Sequence, residues 1–195
     1  IELNPALADA HSNLGSILRD IGNLQEAELS TRKAIEIKPS FAKAHYNLGS
    51  ILIDLGKLQD AELSTRKAIE LNPNLAEAHS NLGNILSDLG KLQDAELSTR
   101  KTIELKPDFA DAHSSLGSIL KKLGKLKDAE VSTRKAIELN PTFAEAYYNL
   151  GSILIDLGKL QEAKVSTRKA IELEPDFADA HLNLGSILRD LGNLQ

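Results

Sequence analysis

The sequence predicts an all-α protein, a solenoid of stacked 34-residue helix–turn–helix repeats, and three observations predict it. The six prolines, Pro5, Pro39, Pro73, Pro107, Pro141 and Pro175, recur at intervals of 34. The glycines form two series with the same interval, Gly15 to Gly185 and Gly22 to Gly192, and no Gly or Pro lies outside these series. Residues 42–75 and 144–177 are identical at 26 of 34 positions. All the strong backbone punctuation therefore belongs to one duplicated module. The reading is one continuous solenoid over 1–195. Residues 1–7 are the tail of a preceding repeat, the full repeats are 8–41, 42–75, 76–109, 110–143 and 144–177, and 178–195 hold the first helix of a sixth.

Within a repeat, apolar spacing defines two helices, expected near 8–21 and 24–38 and then at 34-residue intervals. Ala44, Leu48, Ile51, Leu52 and Leu55 recur at three and four residues and make one amphipathic face. Gly56 suits the left-handed residue just past a helix end. Leu58, Ala61, Leu63, Ala68, Ile69 and Leu71 mark the second helix, which stops before Pro73. Ser40, Asn74, Asp108, Thr142 and Asp176 follow the later prolines and are expected N-caps, with Glu77, Asp111, Glu145 and Asp179 completing a capping box or meeting the helix dipole. Glu28–Arg32, Glu62–Arg66, Glu96–Arg100 and Glu130–Arg134 are i,i+4 pairs in the favourable order, and Lys164–Arg168 breaks the series. Gly15, Gly49 and their equivalents cost about 1 kcal/mol each inside a helix. Close approach of the paired helix explains them, with Ala27, Ala61, Ala95, Ala129 and Ala163 as the expected small residues opposite.

Composition limits the chemistry. With no cysteine there is no disulfide, thiolate nucleophile or Cys-bound zinc. A formal net charge of −5 disfavours nucleic acid as a partner. No apolar run approaches the ~18 residues of a membrane span, and no signal-like start is present, although the chain opens mid-pattern at Ile1; the compartment is not readable, and a cytoplasmic location is the expectation. His11, His45, His79, His113 and His181 raise a metal site, but neighbouring helices lie ~8–10 Å apart, too far for one zinc ion to bridge. Helix–helix packing is the expected role of these residues. Ser, His and Asp recur in register without forming a distinct triad. No catalytic residue, metal or cofactor is expected.

The run His11-x2-Leu14-Gly15-x2-Leu18…Ala27-x3-Thr31…Pro39 resembles the tetratricopeptide repeat (TPR) signature, and the resemblance spans the whole chain. His (Tyr147 in the fifth repeat), Leu and Thr stand at the family's aromatic positions. The run "P-x-F-A-D-A-H-x-N-L-G" is also similar to long bacterial arrays and to the TPR arm of O-linked N-acetylglucosamine transferases. The resemblance implies a right-handed superhelix whose first helices line a concave groove. It also implies a protein–protein interaction scaffold that binds a peptide or protein segment there, rather than an enzyme. The alternatives are a substrate-recognition arm of a larger enzyme, such as a transferase, or a structural module that assembles end to end.

On the first helix, polar residues lie opposite the apolar face, and stacking turns equivalent positions into columns. Asn13, Asn47, Asn81, Asn149 and Asn183 make one column, interrupted by Ser115. An amide both donates and accepts, so a row of them can pair with an extended backbone, as the asparagine ladder of the transferases does. Hydrogen bonding to a neighbouring helix is the alternative use of the same amides. Asp20, Asp54, Asp88, Asp156 and Asp190 form a second column, with Lys122 as its exception and Asp9, Glu77, Asp111, Glu145 and Asp179 beside it. Arg19, Lys121 and Arg189 dilute this acidity. The column favours a basic partner and disfavours the carboxylate clamp of chaperone-binding TPR proteins. Tyr46, Tyr148, Ile53, Ile155 and Leu182 are the expected apolar contacts for a partner's side chains. At the two ends Ile1, Leu3, Leu184, Ile187, Leu188 and Leu191 lack a neighbouring repeat, so weak head-to-tail self-association is expected through part-uncovered surfaces.

Overall fold

A computed structural model describes residues 5–192, and among these residues eleven α-helices follow one another with no strand. They are α1 (Pro5–Asp20), α2 (Leu24–Ile37), α3 (Ala42–Asp54), α4 (Leu58–Leu71), α5 (Ala76–Asp88), α6 (Leu92–Leu105), α7 (Ala110–Lys122), α8 (Leu126–Leu139), α9 (Ala144–Asp156), α10 (Leu160–Leu173) and α11 (Ala178–Gly192). Odd-numbered helices are the first of each repeat and even-numbered ones the second. Two compact units divide the chain, Ile1–Lys101 and Thr102–Gln195, and the division falls within α6. Ile1 and Leu3 lie outside the described residues.

The two glycine series do different work. Gly56 ends α3 with φ 71°, a conformation costly for any side chain. There its N–H bonds the Ile53 carbonyl at 2.9 Å and the Lys57 N–H bonds that of Leu52 at 2.8 Å, the paired pattern of a Schellman cap. Gly49 lies inside α3 against α4, where a Cβ would collide with the Thr65 hydroxyl. The same collision recurs between Gly15 and Thr31, Gly83 and Thr99, Gly117 and Thr133, and Gly151 and Thr167. Close approach was the expectation, but the residue met first is this threonine and not the alanine one turn earlier. Thr99 and Thr133 bond the carbonyls of Ala95 and Ala129 at 2.9 Å, whereas the buried hydroxyls of Thr31, Thr65 and Thr167 find no partner among the described residues.

The first helices α3, α5, α7, α9 and α11 start where expected, at Ala42, Ala76, Ala110, Ala144 and Ala178, and α1 begins earlier, at Pro5. The N-caps differ from expectation by one residue. Pro39 and Ser40 occupy the centre of a tight turn closed by the Phe41 N–H on the Lys38 carbonyl at 3.0 Å, and the Phe41 carbonyl begins α3. Phe41, Leu75, Phe109 and Phe143 are thus the N-cap residues, and none makes a side-chain cap bond. Ser40, Asn74, Asp108, Thr142 and Asp176 are turn residues because proline takes the preceding corner. Glu77, Asp111, Glu145 and Asp179 do fall in the first turn of their helices, where the dipole favours an acid.

The core is built across repeats. Leu48 and Leu52 of α3 and Ala61 of α4 close on Ile85 of α5, the next repeat's first helix. In Thr102–Gln195, Leu116, Leu120 and Ala129 receive Ile153, and Leu150, Leu154 and Ala163 receive Ile187. Ile187 is therefore buried, against the expectation of an uncovered residue, while Leu188 beside it stays 44% exposed. The backbone of α3 lies close to both α1 and α5, and that of α9 to both α7 and α11, but no such approach joins α2 to α4 or α8 to α10 among the described residues. The first helices thus take the tighter, inner side of each unit and the second helices the wider, outer side.

A charged clamp also joins neighbouring repeats. Glu62 accepts from Arg66 one turn along α4 at 3.0 Å and from Lys91 of the next repeat at 2.7 Å. Glu28 is held the same way by Arg32 and Lys57, and Glu130 by Arg134 and Lys159. These carboxylates are 12–14% exposed. The hydrogen bond from the lysine, aided by that from the arginine, outweighs burial and lowers each carboxyl below its ordinary value of 4.5.

Two measurements check these constraints. In Gly49→Ala the overpacking cost of about 1–3 kcal/mol should exceed the roughly 1 kcal/mol gained by the helix, and the penalty should shrink in a Thr65→Ala background. A double-mutant cycle by denaturant unfolding that finds no coupling would show that this contact does not set the spacing. Because the three carboxyls titrate lower in the folded chain, their contribution is complete above the ordinary carboxylate range and is lost as pH falls through the lowered values. Glu62→Gln should cost about 1–2 kcal/mol at neutral pH and flatten the loss of stability on acidification. Parent-like stability across that range would remove the clamp from the account.

Candidate functional site

The candidate side chains all belong to the first helices of their repeats. In Ile1–Lys101 these include Asn13, Asp20, Tyr46, Asn47, Ile53, Asp54, Asn81 and Asp88 from α1, α3 and α5. In Thr102–Gln195 they include Tyr148, Asn149, Ile155, Asp156, Leu182, Asn183 and Asp190 from α9 and α11. The two sets are described separately below.

Three of the five asparagines commit their amino groups to the preceding first helix. The Asn47 Nδ2 donates to the hydroxyls of Ser12 and Ser16 at 3.1 and 3.0 Å, and the residue is 9% exposed. Asn81 donates to Ser50 at 2.8 Å and Asn149 to Ser114 at 3.1 Å. Their Oδ1 atoms accept no bond among the described residues. Asn13 is exposed and Asn183 half-buried, and neither amide is tied to a neighbour in this way. The column is thus three fixed amides flanked by two freer ones.

The serine acceptors were not singled out by sequence reasoning. Their signal is a diagonal: partners lie 35 or 31 residues apart, one position beyond the repeat or three short of it. The acidic column obeys the same diagonal. Arg19 pairs with Asp54 at 2.5 Å across α1 and α3, and Lys121 reaches Asp156 at 3.4 Å and Ser152 at 2.5 Å across α7 and α9. Asp190 has Arg189 beside it at 3.4 Å. Asp20 and Asp88 are exposed and have no ion-pair partner among the described residues.

The apolar candidates divide in two. Leu182 is 71% exposed on α11. Ile53 and Ile155 are half-buried and pack against the core clusters of their repeats, so each offers part of its surface. Tyr46 is half-buried on α3. Tyr148 packs its ring 5.0 Å from that of Phe177, and burial, with Asp179 nearby, pushes its phenol up from the ordinary value.

His45, His79, His113 and His181 each bond the carbonyl of the proline six residues earlier through Nε2, at 2.8–2.9 Å. A carbonyl can only accept, so each ring carries its proton on Nε2. Among the described residues no group of His, Asp or Glu is placed to hold a metal ion, and no helix is long and apolar enough to cross a membrane.

No curated protein matches the chain. Among solved structures it is similar to MamA, with TM-score 0.75 and 28% identity over 84% of this chain and 96% of that one. It is similar to YrrB, described as a TPR protein with an unusual peptide-binding site, with TM-score 0.72 and 25% identity over 87% and 88%. PilW, a type IV pilus biogenesis factor, shares the fold with TM-score 0.88 at 22% identity over 95% and 86%. The likeness to MamA and YrrB supports a protein-interaction scaffold. Models of the tetratricopeptide repeat match residues 8–41, 42–75, 65–96, 110–143 and 144–177. With its helix pairs, its glycine contacts and its turn prolines all recurring on that period, the chain belongs to the tetratricopeptide repeat family.

Proposed function

We propose that this chain binds an extended peptide segment of basic character along the inner face of its first helices. The observation that carries the reading is the state of the Asn47 and Asn81 amides. Their amino groups are held by serines, so their Oδ1 atoms are oriented in advance as acceptors for backbone N–H groups of a ligand. Such preorganisation lowers the ordering cost of binding. Asp20 and Asp88, exposed on the first helices of Ile1–Lys101 and outside any ion pair among the described residues, supply negative charge for Lys or Arg side chains, and Tyr46 offers an aromatic surface. Asn149, Tyr148 and Leu182 provide the corresponding features in Thr102–Gln195. The peptide-binding site described for YrrB adds weight to a peptide as the ligand.

Replacing Asn47, Asn81 and Asn149 together by Ala removes inter-repeat bonds worth about 1 kcal/mol each while the helices regain roughly half of that. The expected result is a loss of about 1–2 kcal/mol with the helical spectrum intact, accompanied by weaker peptide binding. Unchanged binding in the folded triple variant would sink the role of these amides. Lys-rich extended peptides should bind more tightly than Glu-rich ones, with affinity falling as salt rises. Asp20→Asn with Asp88→Asn should blunt both effects. Equal affinity for the two peptide types would reject an acidic recognition face.

A further inference from the structure

The outer side of each unit carries grooves of its own, because the second helices stand further apart there than the first helices do on the inner side. In Ile1–Lys101, grooves of about 360 and 430 Å³ lie over His45 and His79. In Thr102–Gln195 the groove between α8 and α10 lies over Tyr147 and reaches about 680 Å³, within the range of ligand pockets. Ile137, Tyr147, Leu150 and Val165 make it apolar, and Val165 is 67% exposed.

Two departures from the repeat coincide at this groove. Tyr147 stands where the other repeats have histidine, and Lys164 stands where they have the clamp glutamate. In the earlier repeats that glutamate neutralises the arginine one turn on, as Glu130 does for Arg134 at 2.8 Å. Lys164 leaves Arg168, which lines the groove, without an ion-pair or hydrogen-bond partner among the described residues. Lys164 has none either. The other charges at the groove are compensated: Arg134 by Glu130 and Glu162, Lys169 by Glu172, and Glu138 by Lys135. An apolar floor beside one uncompensated guanidinium is complementary to an apolar side chain flanked by a carboxylate, which a guanidinium accepts in a planar, two-bond geometry.

We propose that the α8–α10 groove docks an acidic peptide segment, with an aliphatic or aromatic side chain over Tyr147 and a carboxylate on Arg168. This site and its ligand differ in position and in charge from the inner face, so the two readings fail separately.

The test uses the full chain and fluorescent peptides in which Asp or Glu flank a single Leu or Phe, with Asn and Gln counterparts as the neutral form. Binding is read by anisotropy. The acidic peptide should bind more tightly than the neutral one. Lys164→Glu restores the pair found in the other repeats, so it is expected to fold, and by occupying Arg168 it should weaken acidic-peptide binding about fivefold to tenfold. Arg168→Gln should do the same, and Tyr147→His should weaken both peptides. Binding of Lys-rich peptides should be unaltered in all three variants. No binding of the acidic peptide, equal binding of its neutral form, or affinity unchanged by both Lys164→Glu and Arg168→Gln would overturn the proposal.

Discussion

Every described core cluster depends on an isoleucine supplied by the following repeat. Leu48, Leu52 and Ala61 form three sides of a pocket that Ile85 fills, and Ile153 and Ile187 do the same for their neighbours. A buried isoleucine of this kind contributes about 1.5–3 kcal/mol, a large share of what one helix pair can bury. A single pair therefore has no complete core, and stability resides in the junction as much as in the repeat. The Gly49–Thr65 approach serves this junction. It brings α3 and α4 close enough that their leucines and alanine present one shared surface to Ile85. The charged clamp of Glu62 with Arg66 and Lys91 then ties the same junction on its solvent side.

What was legible in the sequence was whatever recurs along one helix. Apolar spacing, turn glycines and prolines act through the local backbone, so the period of 34 marked every helix to within a few residues. The i,i+4 pairs from Glu28–Arg32 to Glu130–Arg134 were legible for the same reason. The N-caps were misplaced because Ser40 and Asn74 have the chemistry of a cap, while the proline before each makes it a turn residue and leaves Phe41 and Leu75 as the caps. The inter-repeat bonds were missed for a different reason. Reading columns assumes that equivalent residues face each other, whereas crossing helices bring together residues displaced by one position or by about a turn. Asn47 meets Ser12 and Ser16, and Asp54 meets Arg19. The candidate asparagines were found, but the half of each amide already engaged was visible only in three dimensions.

The regularity of the repeat also makes its exceptions informative. A position that recurs unchanged in every repeat serves the stacking, since that is the task all repeats share. Lys121 takes a place on the inner face from which it reaches Ser152 and Asp156. Lys164 and Tyr147 change the outer face of one repeat while Ala163, Thr167 and Ala170 beside them remain buried as elsewhere.

The histidine–proline contacts have a consequence for how the helices begin. The starts of α3, α5, α7 and α9 lack side-chain caps, and in the first three the ring on the fourth residue reaches back over the turn to the proline carbonyl. The bond ties the first turn of each helix to the proline turn before it without a carboxylate cap. The repeat with Tyr147 has no imidazole to offer. There the turn closes on itself, with the Asn140 Oδ1 accepting both the Thr142 amide and the Thr142 hydroxyl at 3.2 and 2.9 Å. The same turn bond also stands where the ring is present, with the Asn72 Oδ1 accepting the Asn74 amide at 3.2 Å beside the His79–Pro73 bond, so the turn before Tyr147 keeps one of two independent fastenings.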